Sequence, residues 1–170
     1  GAHLVTGGTG GLGLLTGRWL AQRGARVLAL ASRSGALARG TASVWGQLQL
    51  ADVTALPLRC DTADSAHLRR LIAHTQGFSG TWHAAGVLAD GILPKQTANA
   101  LALVYSPKVH GAWTLHGART ALPQRVFALF SSVAALLGGA GQANYSAANA
   151  CLDAFASCRQ AGAQVGVSVQ

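Results

Sequence analysis

No apolar stretch in the 170-residue chain approaches the roughly 20 residues that a membrane helix needs, because each is broken early by Gly, Arg, His or Asp. A membrane-spanning protein is therefore not expected. Gly1-Ala2-His3-Leu4-Val5 has neither a basic leader nor a cleavage site and runs straight into a strand-like segment, which reads as a piece cut from a longer chain. Cysteine is scarce: Cys60, Cys151 and Cys158 cannot all pair and no CxxC spacing occurs, so neither a disulfide framework nor a zinc site is expected. A reducing cytoplasm is the default compartment. The histidines His3, His67, His74, His110 and His116 show no ligand spacing with one another or with cysteine, and no metal is expected.

Acidic residues are also few, 5 Asp+Glu against 13 Lys+Arg, which leaves a net charge of +8. Such an excess raises nucleic acid as a partner, but only Arg69 and Arg70 are adjacent and aromatics make up just 6%, so the clustered cations and stacking groups of a nucleic-acid surface are missing. The positive balance suits an acidic small ligand, an acidic protein partner or plain solubility, and composition does not choose among them.

Half of the residues are hydrophobic and 11% are charged, so disorder is excluded and one compact domain over 1–170 is expected. Strand-like runs at 3–6, 26–31, 56–60, 81–84, 126–130 and 165–169 alternate with helical spacing at 12–23, 44–50, 65–75, 97–120 and 142–159, the fourth with Pro107 inside it. Val27-Leu28-Ala29-Leu30 and Val126-Phe127-Ala128-Leu129-Phe130 are apolar throughout, as a sheet covered on both faces requires. The expected fold class is α/β, a doubly wound parallel sheet of Rossmann type with about six strands.

Thr6-Gly7-Gly8-Thr9-Gly10-Gly11-Leu12-Gly13 follows the first strand and opens the first helix, satisfying G-x-G-x-x-G at Gly8, Gly10 and Gly13. Glycines there allow a tight turn and close approach to a pyrophosphate, which free N–H groups and the helix dipole stabilise. The same residues fit T-G-x-x-x-G-x-G, at Thr6, Gly7, Gly11 and Gly13, and so resemble the short-chain dehydrogenase/reductase superfamily. About 20 residues beyond the last glycine, a carboxylate would select NAD and an arginine NADP. Here that residue is Arg33, preceded by Ser32, and no acidic residue occurs in 1–51, so NADPH is expected; the bland alternative for Arg33 is a solvated loop cation. Asp61 could bond an adenine amino group or, with Asp64, could cap a helix.

Tyr145 and Asn149 are one helical turn apart and share a face, and Ser131-Ser132 end an apolar strand, where ligands sit in open α/β sheets. An ordinary short-chain reductase carries Lys four residues after the Tyr to favour the phenolate, whereas this sequence has Asn149. Leu129-Phe130-Ser131-Ser132-Val133, followed by 141–154 with Tyr145 and Asn149, resembles the ketoreductase domain of modular polyketide synthases. Segment 107–116 resembles the preceding helix of that family, on which the catalytic lysine lies, and Lys108 is the matching residue. Ser32-Arg33, Cys60-Asp61 and His83-Ala84-Ala85-Gly86-Val87 extend the similarity over essentially all 170 residues. Fatty acid synthase ketoreductases are the nearest competitor within the family.

That resemblance implies hydride transfer from NADPH to the 3-keto carbon of an acyl thioester on an acyl carrier protein, with neighbouring synthase domains as further partners. In it Tyr145 supplies the proton, Ser132 bonds the carbonyl oxygen, Lys108 favours ionisation of Tyr145 and Asn149 holds the proton path. Gly7 to Gly13, Ser32, Arg33, Asp61, Ala84, Ala85 and Gly86 would hold the cofactor. Leu88-Ala89-Asp90 keeps part of the Leu-Asp-Asp sequence of reductases that give the D-alcohol; Leu137 stands where the opposite class has Trp, so Asp90 points to D-type stereocontrol. The family's amino-terminal structural subdomain and its lid are missing, which implies truncation at both ends. The rival reading is an inactive module that keeps the nucleotide fold as a scaffold. His83 and Trp113 read as packing residues.

Overall fold

The computed structural model describes residues 1–75, 77–118 and 124–170. Six strands, β1 (Ala2–Thr6), β2 (Val27–Ser32), β3 (Thr54–Arg59), β4 (Gly80–His83), β5 (Val126–Phe130) and β6 (Val167–Val169), form one sheet in the order β3-β2-β1-β4-β5-β6. Every pairing is parallel, so the doubly wound expectation holds. The order reverses between β1 and β4, and the carboxyl ends of those two strands open the crevice in which such sheets bind ligands.

Strand alternation sends side chains to two cores. Leu4, Ala29, Phe127 and Leu129 face one side, against Leu68, Leu115, Leu152 and Phe155. Val5, Leu28 and Leu30 face the other, against Leu14, Leu20 and Leu48. The helices on the first side are α3 (Ser65–Thr75), α5 (Gly111–Gly117) and α7 (Ala143–Ala161); those on the second are α1 (Gly11–Gln22) and α2 (Ala42–Gln49). Burying each leucine contributes about 1.5–3 kcal/mol, so the two layers together hold the sheet flat against its helices. Pro57 lies within β3, which lacks a ladder donor there and is tolerated because β3 is an edge strand.

One expected element differs. The helix anticipated over 97–120 is α4 (Ala98–Tyr105), then a π-helical turn (Ser106–His110), then α5, which ends at Gly117; positions 119 and 120 lie outside the described residues. Pro107 has no N–H to donate and its ring crowds the preceding turn, so the ladder widens there. Two short elements were not anticipated: a 3₁₀ turn (Leu93–Lys95) and α6 (Ala134–Leu137), both too short to show a helical period. Among the described residues no helix is long and apolar enough to cross a membrane, and no group of His, Cys, Asp or Glu is arranged to hold a metal.

Candidate active site

A cavity of about 480 Å³ lies over the crevice. Its walls come from the glycine loop and the segments after β2, β3 and β4, and of the anticipated cofactor residues Gly7, Thr9, Gly10, Gly11, Leu12, Gly13, Ser32, Arg33, Asp61, Ala84, Ala85 and Gly86 all line it. Gly8 does not; a methyl group there would stand 2.6 Å from Leu30 Cα, so its role is the close packing of β1 against β2. Gly7 adopts φ +63°, and a side chain on it would meet Ala84 O at 2.7 Å; one on Gly13 would collide with the Gly7 carbonyl. A bare backbone cradle at the amino end of α1 is what a pyrophosphate requires.

Side chains brace the cradle. Thr9 Oγ1 donates to Ser32 Oγ at 2.8 Å, Ser32 Oγ accepts from Gly35 N at 3.1 Å, and Ala38 N donates to Thr9 O at 2.9 Å. The loop that carries Arg33 is thereby fixed to the glycine loop, with the Arg33 side chain exposed at the rim. Of the two aspartates, Asp64 is the one that caps the helix. Asp64 Oδ1 accepts from Ala66 N and His67 N and caps α3, which holds its carboxyl below the usual range; Asp61 Oδ1 accepts from Ala63 N at 3.0 Å while the residue lines the cavity.

The second cluster sits at the end of β5. Lys108, 4% exposed, donates from Nζ to Asn149 Oδ1 at 2.8 Å and to Phe130 O at 3.1 Å, and the same nitrogen lies 5.2 Å from the centre of the Tyr145 ring. Lysine has no acceptor, so Asn149 must present its oxygen to it; its Nδ2 then donates to Tyr145 O at 2.8 Å. Asn149 thus ties the lysine to the helix turn that bears the tyrosine. Burial lowers the Lys108 pKa to about 8, against the opposing pull of Asp153. Ser131 Oγ donates to Asn149 O at 3.2 Å, whereas Ser132 Oγ accepts from Ala134 N at 3.2 Å at the start of α6. The half-buried Ser132 and Tyr145 flank the same strand end as the lysine. Asp90 is exposed and accepts from Gln142 Nε2 at 3.1 Å, three residues before Tyr145, and Leu137 is 84% exposed.

One polar residue inside this frame was read from sequence as packing. His83 is fully buried, with Nδ1 2.7 Å from Thr6 Oγ1 and Nε2 2.8 Å from Lys108 O. In the sequence it stands out as a histidine inside an otherwise core-like strand and as the first residue of the His83-Ala84-Ala85-Gly86-Val87 segment that carries part of the family resemblance. Burial pulls its pKa down to about 4. The unfolded chain therefore holds the extra proton between pH 6.5 and 4, and stability falls as pH falls through that window. Acid denaturation followed at several pH values is expected to show a loss of about 3 kcal/mol attributable to this residue, absent in His83→Gln.

The KR domain family model matches residues 1–170. The chain is 42% identical over 173 residues to "Polyketide synthase GfsA" of Streptomyces halstedii, covering 99% of this chain and 2% of that protein. It is 40% identical over 171 residues to "Phenolphthiocerol synthesis polyketide synthase type I Pks15/1" of Mycobacterium marinum, covering 98% of this chain and 8% of that protein. Among solved structures, the ketoreductase from the first module of phoslactomycin biosynthesis in Streptomyces sp. HK803 superposes with a TM-score of 0.89 at 38% identity, covering 99% of this chain and 40% of that one. A structure described as an A1-type ketoreductase gives 0.91 at 38%, covering 99% and 36%. A match over the full 170 residues, on a sheet of the same topology, makes the chain a member of the KR domain family, the ketoreductases of polyketide synthases.

Proposed function

We propose that these residues reduce the 3-keto group of an acyl thioester, carried by an acyl carrier protein, to a D-configured 3-hydroxy group with NADPH. The observation that carries this reading is the buried Lys108 ammonium, bonded to Asn149 and seated beside the Tyr145 ring. It supports catalysis over a scaffold role, because burial outweighs the pull of Asp153 on this lysine, such a buried ammonium is costly, and a scaffold has no use for it.

The cavity fits a dinucleotide: its glycine cradle leaves no room for side chains at Gly7 and Gly13, and it lies at the amino end of α1, where a pyrophosphate would be stabilised. When bound there, the cofactor supplies the hydride. Ser32 and Arg33 would hold a 2′-phosphate at the rim, Asp61 the adenine side, and Ala84 to Gly86 the floor. At the other end, the Ser132 hydroxyl donates to the substrate carbonyl oxygen, and a single donor of this kind contributes roughly 3 kcal/mol as charge develops. Tyr145 hands its phenolic proton to that oxygen. Lys108 holds positive charge beside the phenol and so favours its ionised form, while Asn149 keeps the lysine in place. Asp90, tied to Gln142 three residues before Tyr145, would set which face of the ketone is presented.

The test is reduction of a 3-ketoacyl thioester by the full-length natural protein with NADPH and with NADH, followed by chiral analysis of the alcohol. NADPH preference and the D-product are expected; an L-product would overturn the reading of Asp90, and no turnover with either cofactor would leave the scaffold role. Arg33→Ala is expected to reduce the preference for NADPH over NADH by about 10–100-fold, the worth of one charge-assisted hydrogen bond at about 1.5–3 kcal/mol. Equal preference in variant and wild type would remove Arg33 from cofactor selection.

A further inference from the structure

The polarity of the hydrogen bonds around His83 is fixed from one end. Lys108 O can only accept, so His83 Nε2 carries the proton that it receives at 2.8 Å. In a fully buried, neutral imidazole, Nδ1 is then a bare acceptor, and the Thr6 hydroxyl must donate to it at 2.7 Å. That leaves the Thr6 oxygen to accept from Ala85 N at 3.2 Å. One directed chain therefore runs from Ala85, in the cavity floor, through Thr6, at the root of the glycine loop, to the carbonyl of Lys108.

That carbonyl lies within the π-helical turn Ser106–His110, at whose carboxyl end backbone N–H groups reach back to Lys108 O and Ser106 O. A widened turn has a looser ladder than the α-helices on either side, so an outside donor has more influence on its position. The stem of Lys108 is referenced to the same floor: a methyl group on Gly86 would stand 3.1 Å from Lys108 Cε. A methyl on Gly111 would meet His83 Cε1 and Thr62 Oγ1, each at 3.0 Å, so the turn has been brought as close to the imidazole as a glycine permits.

We infer that His83 is a positioning residue for Lys108, setting the π-helical turn against the strand ends that floor the nucleotide cavity so that the ammonium meets Asn149 and Tyr145. The inference rests on the proposed reduction, since only that reaction uses the ammonium. His83 touches neither cofactor space nor substrate space: it is sealed behind Thr6 and the turn and does not line the cavity.

The experiment compares His83→Gln, which keeps a donor for Lys108 O, with His83→Phe, which fills the space without one, in the full-length protein. Thioester reduction and NADPH binding by fluorescence are both measured. His83→Phe is expected to lower kcat by about 10–100-fold, as a misplacement near 1 Å does, with KM and the NADPH dissociation constant held within about threefold, and His83→Gln to recover most of the loss. A purely structural role would lower the melting midpoint of both variants and leave kcat of the folded fraction unchanged, and that result overturns the inference. So would equal kcat in the two variants, or a loss confined to NADPH affinity. Should His83→Phe fail to fold, Thr6→Val takes its place: it removes the donor to Nδ1, and a kcat equal to that of Thr6→Ser would overturn the inference. Wild-type protein that reduces no ketothioester yet binds NADPH would instead overturn the proposed function.

Discussion

Tyr145→Phe is expected to lower turnover of a 3-ketoacyl thioester by about 10²–10⁴-fold, the usual worth of a positioned general acid, without changing NADPH affinity. The substitution removes one oxygen. Lys108 Nζ lies over the ring at 5.2 Å, and a phenylalanine ring keeps that contact. The helix is also unaffected, because Asn149 Nδ2 bonds the backbone oxygen of residue 145 rather than its side chain. Stability should therefore stay within about 0.5 kcal/mol, as for a surface-level change, and the defect should appear in kcat with KM for NADPH unaltered. Ser132 cannot take over, since a hydroxyl that stabilises an oxyanion by hydrogen bonding is a poor net proton source at neutral pH. Steady-state kinetics with fluorescence-measured cofactor binding separates the outcomes; retention of wild-type kcat in the variant would place the proton source elsewhere.

What could be read from the sequence was whatever depends on neighbours along the chain. The glycine loop, its position between β1 and α1, and the continuously apolar central strands are local patterns, and the structure places them as expected. The shared face of Tyr145 and Asn149 follows from helical period alone. By contrast, the bond between Lys108 and Asn149 joins residues 41 apart, and nothing in spacing announces it. Only the resemblance to polyketide ketoreductases pointed to Lys108. The π-helical turn also escaped, although Pro107 marked its place: a proline signals a break in a helix but not whether the ladder stops, kinks or widens. His83 escaped for a third reason. Its partners, Thr6 and the Lys108 carbonyl, come from a different strand and from a backbone atom, and backbone acceptors leave no trace in residue identity.

Replacement of Lys108 by methionine is expected to separate activity from stability. The ammonium is 4% exposed, and its pKa falls to about 8 because burial penalises the charged form. In the unfolded chain it returns to 10.5, so keeping it charged in the fold below pH 8 costs about 3 kcal/mol. Methionine fills a similar volume without that cost, but it leaves Asn149 Oδ1 and Phe130 O without their donor, at about 1–3 kcal/mol each. The two effects oppose each other, and the variant should differ little in stability at pH 7. Its kcat, however, should drop by about 10²-fold or more, because the phenol loses the neighbouring charge.

Titration makes the contrast sharper. Between pH 8 and 10.5 the unfolded chain holds one proton more than the folded one at this site, so the stability of the wild type relative to Lys108→Met rises by about 3 kcal/mol across that window. Over the same window the folded lysine loses the charge that supports Tyr145, so wild-type kcat for reduction falls from about pH 8 upward. One ionisation thus strengthens the fold while weakening the catalyst. Denaturant unfolding of both proteins at pH 7, 8.5 and 10, together with the pH profile of kcat, tests the pair of signs. A stability difference that stays constant across those pH values would show that Lys108 is not buried as a cation, and the electrostatic role assigned to it would fail with that result.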